Sequence, residues 1–213
     1  MDNNLGLVIN KKVKRTMEAL EKNNMEAYLV SNKEELLDKI KDICKEGEVV
    51  SVGGSMTLFE TGVIDFLRSG RYEFLDRYKE GLSPKDIKDV FRKSFSADSY
   101  FTSSNAITEN GWLYNVDGNG NRVAAMLYGP DKVIVVAGVN KIVKNLESAI
   151  ERNKEVSGPA NCVRLNKSTP CTKIGYCADC NSNERICNEY TLIKRQGLKG
   201  RIKVILLEEN FGY

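Results

Sequence analysis

Short apolar runs alternate with amphipathic stretches along most of this chain, and that alternation restricts it to α/β folds. Residues 8–23 place Val13, Met17 and Leu20 on one side of a helix, and residues 26–30 follow as a strand. Asn32, with Glu35 three positions on, opens a second helix whose stripe is Leu36, Leu37, Ile40 and Ile43. Residues 48–52 form a strand that ends in Gly53-Gly54-Ser55, and a helix is expected from Met56 to Leu67. Strands are expected at 72–76, 98–102 and 132–137. Helices are expected at 84–93, with Pro84 in the favoured first position, and at 141–152. Asp117-Gly118-Asn119-Gly120 reads as a hairpin turn between strands at 111–116 and 122–127. A loop spans about 155–188, and strands at 190–193 and 202–206 finish the chain.

The 213 residues are enough for one substantial core. Residues 1–157 are expected to form an α/β body with an N-terminal helix. Residues 158–213 would supply a cysteine-rich loop and final strands that complete the same domain. Lys and Arg exceed Asp and Glu by only 32 to 29, and the charges are interleaved, which gives no case for nucleic acid. No apolar stretch is long enough to span a bilayer, and the first dozen residues lack a signal core. A cytoplasmic protein without membrane insertion is therefore expected. Homo-oligomerisation is left open.

Histidine is absent. Acid–base chemistry must then use carboxylates, Lys, Tyr or Cys, and a soft-metal site must be built from thiolates. Four of the six cysteines fall at 171, 177, 180 and 187, in the spacing C-x5-C-x2-C-x6-C. The C-x2-C pair can fold two sulfurs around one centre, and the flanking loops can return Cys171 and Cys187. Such a set suits structural zinc or a [4Fe–4S] cluster, while redox-active thiols and disulfides stay open. Cys44 reads as a buried small apolar residue, and Cys162, just before the loop, as a spectator with a fifth-thiol role as the alternative.

Two polar segments interrupt the apolar pattern. Gly53, Gly54, Ser55 and Thr57 sit where a strand becomes a helix, and such turns approach anions closely. The plainer reading is a tight turn capped by Ser55 or Thr57. The turn is neither a Walker A loop nor a GxGxxG fingerprint. The second segment runs from Thr102 to Gly111 and resumes at Asp117–Arg122, with Glu109 a candidate acid, base or nucleophile and Arg122 a candidate anion clamp. Turn chemistry and surface charge are the competing account of both residues.

Together, SVGGSMTLFETG, TSSNAITENG, DGNGNRVAAMLYGP and VIVVAGVNKIV, in that order, closely resemble the LUD domain of bacterial lactate-utilisation proteins, over roughly residues 8 to 207. The resemblance implies an open Rossmann-like sheet of the ribose-5-phosphate isomerase, glucosamine-6-phosphate deaminase and CoA-transferase type, with a ligand site at the strand ends. It implies a component of iron–sulfur-dependent oxidation of L-lactate or a related organic acid, working beside iron–sulfur partner subunits. Gly53, Gly54, Ser55 and Thr57 match the phosphate-loop-like turn of that fold group, and Glu60 lies one helical turn beyond. Glu109 falls near the place of a CoA-transferase-type catalytic glutamate. Asn121, Arg122 and Lys141 belong to family-type stretches and would line the same pocket around a small anionic metabolite. The same resemblance tilts the cysteine loop toward an iron–sulfur cluster over zinc, although many LUD proteins lack this loop. An isomerase or CoA-transferase-like enzyme with structural zinc, using Glu109 or Glu60, and a redox sensor without catalysis are the alternatives.

Overall fold

The computed structural model describes residues 3–213. Among these described residues, ten strands form two sheets. The larger contains β1 (Glu26–Val30), β2 (Val49–Val52), β3 (Glu73–Leu75), β4 (Ser99–Thr102), β7 (Lys132–Gly138) and β10 (Ile202–Leu207). All its pairs are parallel, in the order β1-β10-β7-β4-β2-β3. The smaller holds β8 (Ile142–Val143), β5 (Ala106–Thr108), β6 (Leu113–Asp117) and β9 (Glu189–Ile193), in that order.

The side-chain period of two explains how both faces of the large sheet are filled. Along β7, Val133, Val135 and Ala137 enter one core with Ile202, Val204 and Leu206 of β10. Ile134 and Val136 enter the opposite core with Ile205 and Leu207. The first core is covered by α1 (Asn3–Lys22), through Val13 and Leu20, and by α6 (Asn121–Tyr128), through Val123 and Met126. The second is covered by α2 (Lys33–Ile43), α3 (Met56–Glu60) and α4 (Val63–Leu67). This is an open, doubly wound α/β sheet, the fold class the sequence predicts. β10 lies between β1 and β7, so the end of the chain is woven into the sheet interior.

Four local expectations are corrected. The 56–67 helix is two short ones, because Gly62 takes a left-handed φ of 76° between them. Residues 122–127 are helical, not a strand. Gly120, at φ 66°, turns the chain, and the Asp117 carboxylate caps α6 by accepting from the Val123 N–H at 3.0 Å. Lys141 ends a 3₁₀ turn, and the next helix, α7 (Leu146–Arg152), starts only after Asn145 caps it. The 155–188 loop contains structure: α7 continues through a π-helical turn, Asn153–Ser157, into α8 (Gly158–Arg164), and α9 (Cys171–Ile174) follows. Gly158-Pro159 resembles a helix breaker. The wider turn, with Gly158 N–H donating to Asn153 O, carries the chain past it.

Candidate functional site

The strand order reverses between β2 and β4. The chain leaves β2 for the edge strand β3, then returns past β2 through α5 (Pro84–Lys93) to β4. In a parallel sheet this switch point opens a crevice at the carboxyl ends of the strands. A cavity of about 190 Å³ lies there. That is small beside the roughly 300–1,000 Å³ of drug-sized sites, and suits a ligand of few heavy atoms. Gly54 and Ser55 reach it after β2, Arg77 after β3, Ser103 and Asn105 after β4, Lys141 after β7 and Tyr213 after β10. The helical run α7–π–α8 adds Ser157, Asn161 and Arg164.

Arg122 is the strut of the wall. Its side chain is about one-tenth exposed and donates from Nε to Asp117 Oδ1 (2.9 Å), and from Nη1 to Ser103 O (2.8 Å) and Asn115 Oδ1 (2.7 Å). Nη2 donates to Asn105 Oδ1 (2.9 Å) and Val116 O (3.3 Å). The guanidinium fork is thus spent on holding the β4–β5 loop against the end of β6, and it neutralises Asp117. All five of its N–H groups are thereby engaged within the fold. Gly53 makes room for it: a Cβ there would lie 2.8 Å from Arg122 Cγ and 2.9 Å from the Tyr100 hydroxyl. Ser55 caps α3, accepting from Leu58 N–H. Thr57 faces Lys141.

Lys141 is buried, 3% exposed, and donates to Thr57 Oγ1 at 2.8 Å and Ser103 Oγ at 3.0 Å. Burial pushes its amine down to about 7, aided by the nearby Arg152 and Arg122 charges and opposed by Glu60. Arg77 lies against the rings of Tyr78 and Phe91, with its carbon centre 5.2 and 4.5 Å from their centroids. Arg164 is exposed and donates from Nε and Nη2 to Asn161 Oδ1. Among the described residues, no carboxylate lies within ion-pairing distance of Lys141, Arg77 or Arg164. The cavity therefore carries uncompensated positive charge, since its Asp117 is matched by Arg122.

The structure brings Gly54, Ser55, Asn121, Arg122 and Lys141 to the cavity, with Gly53 and Thr57 immediately behind. Neither glutamate lines the cavity. Glu60 accepts from the Gly212 N–H at 2.6 Å and anchors the C-terminal residues. Glu109, in the β5–β6 turn at the far end of those strands, pairs with Arg15 of α1 at 2.7 Å. Sequence reasoning missed Arg77, Arg164 and the residues of the π turn.

The cysteine loop reaches this cavity at Ile186. Cys171 is buried at the start of α9, with its sulfur 3.2 Å from Thr169 Oγ1 and in hydrogen-bonding contact with Cys162. Burial pushes the Cys162 thiol up to about 11. Cys177, Cys180 and Cys187 are half-buried. Arg185 braces their loop, donating to Cys180 O (2.6 Å), Cys187 O (2.9 Å) and Asp179 Oδ1 (3.1 Å). Among the described residues, no three Cys, Asp or Glu side chains converge as metal ligands do. In this arrangement the loop does not fit a closed four-thiolate cage.

A family profile described as the LUD domain matches residues 13–207. The chain belongs to the LUD domain family. That family is associated with lactate utilisation. Among solved structures, a DUF162 family protein from Deinococcus radiodurans is 18% identical, with a TM-score of 0.53, over 95% of this chain and 98% of that one. The delta subunit of eIF2B from Chaetomium thermophilum is 18% identical over 56% of this chain and 50% of that one, with a TM-score of 0.37. No curated protein sequence matches the chain. Among the described residues of this LUD-domain protein, no helix is long and apolar enough to cross a membrane.

Proposed function

We propose that this LUD-domain protein binds a small anionic metabolite at the switch-point cavity, as a component of the oxidation of L-lactate or a related organic acid. The observation that carries the reading is the charge imbalance: Lys141, Arg77 and Arg164 face a small polar cavity whose acid, Asp117, is already paired. An exposed cation is satisfied by water. Arg77 is ring-bound and Lys141 buried, so each gains from an incoming carboxylate. Isothermal titration with L-lactate, pyruvate and inorganic phosphate tests this. Arg77→Gln should weaken the preferred anion roughly tenfold, the worth of one charge-assisted contact. Equal affinity in wild type and variant would remove the reading.

Iron–sulfur dependence, if it resides on this chain, would rest on Cys171, Cys177, Cys180 and Cys187. Loading the loop would require Cys171 to leave its contacts with Thr169 and Cys162. Anaerobic purification with iron, sulfide and zinc analysis separates the cases. Stoichiometric iron and sulfide support a cluster carrier, zinc supports a structural tie, and metal-free thiols limit the chain to metabolite binding. The isomerase or CoA-transferase alternative is disfavoured, because neither Glu60 nor Glu109 lines the cavity.

A further inference from the structure

Holding an anion does not require a buried lysine. Surface lysines and arginines do that work with their charge left in water. Lys141 instead lines the cavity with its amine against two hydroxyls, and Glu60 is the acid that favours its charge. That carboxylate is engaged by the Gly212 N–H. Arg152 and Arg122 both repel a proton on the amine. Gly212, at φ +61°, passes so close that a Cβ would collide with Thr57 Oγ1 and lie 3.2 Å from Lys141 Nζ. The tail is drawn onto the amine and excludes water from that side. Asn140 and Glu60 tie it there, Asn140 donating to Gly212 O and accepting from Phe211 N–H.

We infer that Lys141 captures a small 2-oxo acid covalently as a Schiff base in this cavity. The inference rests on the anion-binding reading and specifies its ligand: a carboxylate for Arg77 and Arg164, and a carbonyl for the amine. A neutral amine is the reactive form, and burial beside two arginines supplies it near neutral pH. The Nζ lone pair adds to the C2 carbonyl, forming the N–C bond, while the C=O π pair moves to oxygen and takes a proton. Nitrogen then loses a proton, the hydroxyl is protonated and leaves as water, and the C=N bond forms. Thr57 and Ser103 lie at hydrogen-bond distance from Nζ, positioned to relay these protons. Amine, carbonyl and one proton give the iminium ion and water, with no oxidant or reductant consumed. The dry side under Gly212 protects the imine from hydrolysis.

The test is reductive trapping of the full chain with pyruvate and borohydride, read by intact mass and peptide mapping. One reduced adduct on Lys141 is expected, with far less from acetone, which has the carbonyl without the charge. L-lactate should give none. Adduct yield should rise as pH increases through about 7, whereas reversible L-lactate binding should fall over the same range as the ammonium is lost. Arg77→Gln should lower the yield of the pyruvate adduct roughly tenfold while leaving the fold intact. Adducts absent, or spread evenly over surface lysines, would overturn the inference, and retained pyruvate binding by calorimetry would show that the anion site survives it. Absence of both adduct and binding would overturn the two together.

Discussion

The strand-end cavity and the cysteine loop meet at Ile186, yet they are held together by opposite means. The cavity is fixed from within: Arg122 is buried and ties the β4–β5 loop to the end of β6 through a fully used guanidinium. The loop is fixed from outside, by an Arg185 that is one-fifth exposed and reaches back to its own backbone carbonyls. Ile186 lines the cavity and packs against Gly118, where a Cβ would lie 3.3 Å from Ile186 Cα. Asn188 N–H donates to Asp117 O at 2.9 Å. The cavity is therefore a preorganised site and the loop an attachment that supplies one wall.

Removing the two arginines should separate these regions most sharply. Arg122→Ala leaves Asp117 buried without its partner and frees the Ser103 and Asn115 acceptors, a loss of about 3–5 kcal/mol in chemical denaturation. Arg185→Ala should cost about 1 kcal/mol or less and appear mainly as faster proteolytic cleavage near residue 185. Equal losses would show that the loop is part of the core. Gly53→Ala comes next in size. Arg122 Cγ cannot retreat while its nitrogens are held, so overpacking of about 1–3 kcal/mol is expected, with weaker anion binding.

Much of this was legible in the chain and part was not. The alternating burial of β7 follows directly from its apolar run, and Ser55 caps α3 as its place before the helix suggests. The Asp117–Gly120 turn was visible, but the element after it was misassigned. The 122–127 run also fits a helix, and only the Asp117 cap and Arg122 burial decide the matter. Arg77 and Arg164 have no spacing signal. They join Lys141 only because parallel topology brings the ends of β3 and β7 and the face of α8 to one crevice. The π turn was hidden by Gly158-Pro159, which signals an end to helix rather than a widened turn.

The Lys141 amine provides a pH-dependent contrast. Folding lowers its pKa from 10.5 to about 7, so between those values the unfolded chain binds more protons than the native one. Stability contributed at this site therefore rises with pH across that interval, and the burial penalty is fully present below about 7. Lys141→Met removes the penalty, so it should stabilise the protein most at pH 6 and least near pH 10, by up to a few kcal/mol. Urea unfolding at several pH values measures this. A wild-type curve parallel to that of the variant would mean that the buried amine keeps its proton on folding. Cys162 and Cys187 should give no such trend across the neutral range, because burial raises both thiols.

The smallest effect is expected at Glu109, one of the two glutamates for which the resemblance suggests a catalytic role. Its carboxylate is about one-quarter exposed and pairs with an Arg15 side chain that is 58% exposed. Such a pair contributes little, because both charges are well solvated when apart. β5 and β6 run from the cavity at Asn105 and Asp117 to the Glu109 turn, which packs on α1. The position therefore cannot reach a ligand held by Arg77 and Lys141 without unpairing those strands. Glu109→Gln should change stability by about 0.5 kcal/mol or less and leave pyruvate binding and trapping at wild-type levels. A tenfold loss of either would relocate the chemistry to the opposite end of the β5–β6 hairpin and undo the distinction between a charged floor and a supporting surface.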